Sequence, residues 1–437
     1  MNVLIRGGTL LPMTEGAART ARGDVLVAGT RISEVGEVAP AAGVPVIDAS
    51  GCYVMPGLVQ AHVHLVQTLF RGLAEDLSLL EWLRRRIWPL EAAHDEASLR
   101  ASVRLGVQEL LLSGTTTVLD MGTTHGGDVV ADELIACGIR ARSGQAMMDR
   151  GDGVPPRLLE TTRASLDAAA ALKKKIDADG KGRVAFAYAP RFALSCTREL
   201  LESVAALSRM TAALVHTHSN ETLDERELIV RETGRAPLTY LAEAGVLSAR
   251  AVVAHGVHVD DTELAELAAS GASVAHCPSS NLKLGSGIAH VPRLRAARVN
   301  VALGADGAAC NNTLDGFGEA RLALLLSRAA LMGALTAADA LLMATRGGAR
   351  ALHLDEEIGA LAPGRRADLI VLDGERLEPG GDALTRILFG GGARAVRDVL
   401  VDGELLVKDG RPTRWDPAEV RAKAAEAAAA VRGRAAL

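Results

Sequence analysis

No run of about 18 uninterrupted apolar residues occurs anywhere in the 437-residue chain, and that lack excludes a membrane-spanning helix on length alone. The opening residues, Met1-Asn2-Val3-Leu4-Ile5-Arg6, have neither the charged start nor the long apolar stretch of a secretory leader, so a cytoplasmic protein is expected. Cysteine is scarce. Cys52, Cys137, Cys196, Cys277 and Cys310 are odd in number and widely spaced, which gives neither a disulfide framework nor a Cys-x-x-Cys metal site. Reduced, mostly buried thiols are expected instead. Charge of one sign is also missing: the formal charge is -5 with acids and bases mixed along the chain. Without a basic stripe or an acidic tail, nucleic acid, a membrane surface and a polyelectrolyte partner are not indicated, and a small neutral substrate fits the balance.

What is present is enough apolar residue, 49% of the chain, to bury a large core. Length and composition suit one big barrel with a small satellite. Residues 1–55 carry short β-branched runs, Val3-Leu4-Ile5, Gly23 to Val27 and Val46-Ile47-Asp48. The same texture returns within 364–437, in Ala367 to Leu372 and in Asp398 to Val401, where Asp402-Gly403 signals a hairpin turn into Glu404 to Val407. The two ends are expected to pair into one β-sandwich, followed by an Ala-rich surface helix opening at Asp416-Pro417.

Between them, over 56–363, buried-strand runs alternate with amphipathic helical stretches. The runs are Leu58 to Ala61, Thr116 to Met121, Ile139 to Met148, Val184 to Ala189, Ala213 to His216, Ala251 to Ala254, Ser273 to Ala275 and Val299 to Gly304. Eight strand-helix units in one stretch predict an α/β fold, a (β/α)8 barrel. Thr336, three residues before Asp339, is placed to cap a helix near its end.

The first chemical signal is the strand Pro56 to His64, which ends in His62 and His64. Period two puts both imidazoles on one side, where they can reach one cation. Alone, such a pair is more often a packed polar cluster than a metal site. Its company changes that reading. The fifth run leads into His216-Thr217-His218-Ser219-Asn220-Glu221, the sixth ends at His255, and the eighth ends in Gly304-Ala305-Asp306-Gly307. Metal-type residues at four strand ends converge on the C-terminal mouth of a barrel, where sites of this fold lie.

A catalytic metal needs a few protein ligands, an activated water and separate acid-base groups. His62, His64, His218 and Asp306 are assigned as ligands, Glu221 as the proton shuttle, and His255, with Asp306, as the group that orients and polarises the attacking oxygen. His216 competes for a ligand role, but only His218 keeps the three-residue spacing to Glu221. His258 and His276 have no comparable motif and are left out. Three histidines and a carboxylate suit one divalent ion, Zn2+ first, with Fe2+ or Mn2+ also compatible.

Four stretches resemble the amidohydrolase superfamily, in its mononuclear branch of aminohydrolases and chlorohydrolases: Pro56 to His64, Trp88-Pro89-Leu90-Glu91, His276 to Leu284, and Gly304 to Asn312. The resemblance runs along the whole chain. Within the branch it is most similar to the 5'-deoxyadenosine deaminases and the methylthioadenosine/S-adenosylhomocysteine deaminases, sequences often labelled N-ethylammeline chlorohydrolase. It implies hydrolytic deamination of an adenine nucleoside with a modified 5' position, with triazine or other heterocycle hydrolysis as the alternative. It also implies a homo-oligomer, dimer or tetramer. Glu91 then looks like a ribose-hydroxyl contact and Trp82 like a pocket aromatic. Of two arginines that hold an amino-acid tail in the S-adenosylhomocysteine enzymes, Arg157 matches one and Gln145 stands at the other, while Arg191 stands where those enzymes have a histidine. These departures favour a shorter 5' group. Relatives with two metals bridge them through a lysine at the end of the fourth strand; here that stretch reads Ala187-Tyr188-Ala189-Pro190-Arg191, so one metal is expected.

Overall fold

Eight parallel strands close on themselves in the computed structural model, which describes residues 2–14, 20–39, 43–330 and 335–437. The barrel strands are β1 (Leu58–His64), β2 (Thr115–Asp120), β3 (Arg140–Ser143), β4 (Val184–Pro190), β5 (Leu214–Ser219), β6 (Ala251–His255), β7 (Ser273–His276) and β8 (Asn300–Leu303). Each pairs in parallel with the next, and Leu303 of β8 pairs with Gln60 of β1 to complete the ring. All eight lie where the apolar runs predict them. The long third run divides: Ala146–Met147 is a separate short strand that pairs with the end of β4.

Small apolar residues fill the interior. Val59, Ala61, Leu119, Ala187, Leu214, Val252, Ala275 and Ala302 form one buried cluster, floored by Ala349, Leu352 and Ile358. This packing leaves the other end of the strands for polar side chains. Gly304 permits a close approach there, because a Cβ at that position would stand 2.6 Å from the carbonyl oxygen of His62.

The two chain ends form a single nine-stranded sheet. Strands 3–10, 21–28, 31–36, 46–48 and 53–56 pair with strands 369–372, 396–401, 404–408 and 411–412 through the antiparallel contact of 369–372 with 53–56. The sheet curls until Ile32 N donates to Arg365 O and Ala367 N to Thr30 O, enclosing a second core that includes Ile5, Val25, Val27, Val54, Leu369 and Val371. Asp402 (φ 50°) and Gly403 (φ 71°) make the predicted hairpin turn in the left-handed conformation that such a turn requires. Asp416 caps the helix Pro417–Ala435, and Thr336 caps Ala337–Leu342 through a reciprocal box with Asp339. All five cysteines are free and buried.

Sheet and barrel are joined by a buried ion cluster. Arg140, at the start of β3, donates through Nε to Asp368 at 2.7 Å and through Nη2 to Asp368 at 3.0 Å and Asp402 at 2.5 Å; Arg183 and Arg366 also reach Asp402. Arg140 and Asp368 have side chains only 2% and 1% exposed. Removing one partner of a buried pair strands the other charge, a loss of about 3–5 kcal/mol. Arg140→Met is therefore expected to lower unfolding free energy by about that amount in urea titration, whereas a loss below about 1 kcal/mol, the worth of an exposed pair, would show that the cluster does not carry the joint.

Candidate metal centre

The strand ends predicted to carry the chemistry meet at one mouth of the barrel. Ligand atoms of His62, His64, His218 and Asp306 all lie within 4.8 Å of one another, the one such group found among the described residues. His62 Nε2 is 3.1 Å and His64 Nε2 3.4 Å from Asp306 Oδ1, and His64 Nε2 is 3.1 Å from His218 Nε2. Asp306 reaches this position because the chain after β8 makes a short parallel pairing of Asp306–Gly307 with Val63–His64.

Hydrogen bonds fix which nitrogen of each ring faces the centre. His218 Nδ1 donates to Arg191 O at 2.7 Å, so its Nε2 lone pair points inward. His62 Nδ1 faces His216 Nε2 at 2.7 Å. His216 therefore stands behind His62 as its orienting partner, and His218 is the inward-facing member of that strand. Burial lowers the proton affinity of His62, His64 and His218 below the ordinary imidazole value. Burial opposes ionisation of Asp306, but His62 holds its carboxyl well below the usual range. Neutral rings with crowded inward lone pairs and one carboxylate make a donor set that fits a divalent cation.

Glu221 and His255 lie beside this group. His255 Nδ1 donates to Asn281 Oδ1 at 2.8 Å, which turns its Nε2 toward Glu221 Oε2 at 3.4 Å and Asp306 Oδ2 at 3.9 Å. Burial pushes the Glu221 carboxyl up to about 7, with Asp306 and Glu225 adding to the effect and His255 opposing it. Ser280 donates to Asp306 Oδ2 at 2.6 Å, and Ser286 lies 3.4 Å from Glu221 Oε1. Asn220, His255 and Asp306 all have left-handed backbone, with φ of 57°, 74° and 61°, a conformation uncommon for residues other than glycine.

A narrow cavity of about 30 Å³ abuts the centre. Trp82 and Arg191 line it with His64, Gln67, Phe192 and Glu221. Leu79, Trp82 and Leu83 close it from above, and Leu83 begins a π-helical turn, Leu83–Ile87. Glu91 does not line the cavity. Its carboxylate is held by Arg191, Nη1 to Oε2 at 2.6 Å and Nη2 to Oε1 at 3.1 Å, and by Gln67 Nε2 at 2.9 Å. Arg157 is exposed, donates to Ala92 O and is not brought to the cavity. Gln145 is buried against Thr124 O, also outside the lining. His258 bonds Ser286 O, and burial pushes His276 down to about 3, with His255 adding to the effect.

Sequence spacing did not single out Gln67, Ser280, Asn281 or Ser286. Ser280 and Asn281 lie in the resembling stretch after β7 and Ser286 two residues beyond it, but their partners, Asp306, His255 and Glu221, are distant in sequence. Gln67 falls three residues beyond His64, a spacing with no chemical signature of its own.

Residues 53–406 match the amidohydrolase family. The chain is 40% identical over 420 residues to a 5-methylthioadenosine/S-adenosylhomocysteine deaminase of Halobacterium salinarum, covering 94% of this chain and 95% of that one. It is 38% identical to a 5'-deoxyadenosine deaminase of Methanothermobacter thermautotrophicus, covering 94% of each. Among solved structures, an adenosine deaminase from Xanthomonas campestris with bound zinc superposes with a TM-score of 0.92 at 32% identity, covering 99% of both chains. Metal analysis of purified protein is expected to find one equivalent of a divalent transition metal per chain, lost in His64→Ala and His218→Ala; a second equivalent, or full retention in both variants, would contradict the four-ligand set.

Proposed function

Because the chain belongs to the amidohydrolase family and is a hydrolase of carbon-nitrogen bonds, we propose that it deaminates adenine nucleosides with a short or modified 5' group, giving the inosine analogue and ammonia. The observation that carries the reading is the placement of Glu221, buried and held near neutrality, in the lining of the cavity that it shares with His64, His218 and Asp306 of the three-histidine, one-aspartate group. A divalent ion held by His62, His64, His218 and Asp306, zinc in the first instance, supplies Lewis-acid activation of the attacking water. Glu221, whose proton affinity matches neutral solution, hands a proton to the ring nitrogen beside the reacting carbon. His255, fixed by Asn281, presents Nε2 to the same space and orients the attacking oxygen.

The 5' preference follows from the charges around the cavity. Arg191 is the one lining arginine, and Glu91 already neutralises it. Arg157 and Gln145 lie outside, so among the described residues that line the cavity none is an unpaired cation for the carboxylate of an amino-acid tail. A 5'-deoxy, 5'-methylthio or 5'-hydroxy substituent asks for none.

Two measurements test this reading. Ammonia release from 5'-deoxyadenosine, methylthioadenosine, adenosine, S-adenosylhomocysteine and an aminotriazine is expected to give kcat/KM values at least about tenfold higher for the first three than for S-adenosylhomocysteine, the worth of one unmet charged contact. Turnover of the triazine alone would replace the nucleoside reading with heterocycle hydrolysis. Glu221→Gln is expected to lower kcat by about 10²–10⁴ with metal content unchanged; near-normal turnover would remove Glu221 from the proton path.

A further inference from the structure

Glu319, in the helix Gly316–Ala330, is 1% exposed and does not line the cavity beside the metal group. Its carboxylate is surrounded by donors from two other segments. Oε1 accepts from Ser279 Oγ at 2.5 Å and from Asn311 Nδ2 at 2.9 Å, and Oε2 accepts from Ser279 N at 3.1 Å. Ser279 lies in the helix Pro278–Lys283, which follows β7, and Asn311 ends the helix Ala308–Asn311, which follows β8. One side chain therefore ties together the two segments that hold Asp306.

The two residues after Ser279 reach the centre. Ser280 Oγ donates to Asp306 Oδ2 at 2.6 Å, and Asn281 Oδ1 accepts from His255 Nδ1 at 2.8 Å. On the other side, Asn311 Nδ2 also donates to Ala305 O at 2.8 Å, while Ala305 N donates to Gln60 Oε1 at 2.9 Å. Both backbone polar groups of the residue before Asp306 are thus held by side chains, and one of those side chains is tethered to Glu319. Asp306 has left-handed backbone, a conformation that persists only where the surroundings enforce it.

The donor pattern specifies a carboxylate at this position. Ser279 N can only donate, and Asn311 Nδ2 is fixed as a donor by its bond to Ala305 O, which can only accept. The first meets Oε2 and the second Oε1, so both oxygens must accept. An amide in the same place turns its NH2 group against one of these two donors and loses a grip with almost no change in volume. Burial pushes the Glu319 carboxyl up to about 7 and the bonds from Ser279 and Asn311 oppose it, so the ionised form, which accepts at both oxygens, predominates in mildly alkaline solution.

Resting on the metal-centre reading above, we propose that Glu319 is a positioning residue: by gripping Ser279 and Asn311 together it sets Asp306 for metal binding and, through Asn281, the ring of His255. It acts from outside the cavity, through residues that themselves stand one bond away from the centre. Loss of such an outer partner typically costs about 10–100-fold in metal affinity or activity.

Zinc affinity, read by competition with a chelator, and turnover of adenosine under zinc saturation test this at mildly alkaline pH. Glu319→Gln is expected to weaken zinc binding by about 10–100-fold and to lower kcat by a similar factor, with KM changed less than about threefold. Ser279→Ala, at a half-buried position, removes one bond to Glu319 and leaves Ser280 and Asn281 in place; it is expected to weaken zinc binding by about two- to tenfold, the worth of one hydrogen bond. Leu324→Ala, on the same helix as Glu319 and 2% exposed, is expected to lower thermal stability by opening a cavity while leaving zinc affinity and kcat unchanged. Wild-type zinc affinity in both Glu319→Gln and Ser279→Ala would overturn the proposal, and so would equal losses in Leu324→Ala, which would reduce the role of Glu319 to general stability. Should Glu319→Gln not fold, Ser279→Ala decides alone. Wild-type protein that binds zinc while the variants bind it equally well overturns this inference only; wild-type protein that binds none overturns the metal-centre reading and this inference with it.

Discussion

The pairing of β8 with β1 brings together residues 244 positions apart. Leu303 against Gln60 is a single register contact, yet it decides where the chain emerges from β8 and so where Asp306 meets His62 and His64. Gly304 has no side chain because the His62 backbone occupies that space. Were the ring left open at this seam, two histidines and an aspartate would sit on opposite edges of a sheet, and the fold would have strands and helices but no centre.

Two of the buried arginine–carboxylate pairs are built in the same way. Arg140 with Asp368 and Asp402 joins the outer sheet to the barrel, and Arg191 with Glu91 backs the cavity. In each case a guanidinium fork meets a carboxylate in two bonds, a geometry that offsets part of the desolvation cost. At the joint this fixes one body against another. Behind the cavity it holds Glu91, which also accepts from the amide of Gln67.

The parts of the molecule legible in the sequence are those governed by local periodicity. Strand parity placed His62 and His64 together, the His218–Glu221 spacing singled out the histidine of its strand that the structure groups with them, and turn chemistry at Asp402-Gly403 marked the hairpin. The one-sheet arrangement of the two ends was visible only as matching β texture. What local pattern could not show is who satisfies whom. Glu91 reads by resemblance as a ribose-hydroxyl contact, and its pairing with Arg191, a hundred residues later, is invisible in the sequence; the same holds for the bond of Arg157 to Ala92 O. His216 looks redundant until its ring is found behind His62. Each reading turns on a partner that sequence distance conceals.

Asn220, His255 and Asp306 keep side chains at backbone positions where glycine would relieve strain of about 1–3 kcal/mol each. Stability taken by itself therefore favours a different residue at two of the positions on which the chemistry depends. The centre is consequently one of the parts of the protein that selection for robustness alone would alter, and a version of this chain relieved of its reaction would gain by losing it.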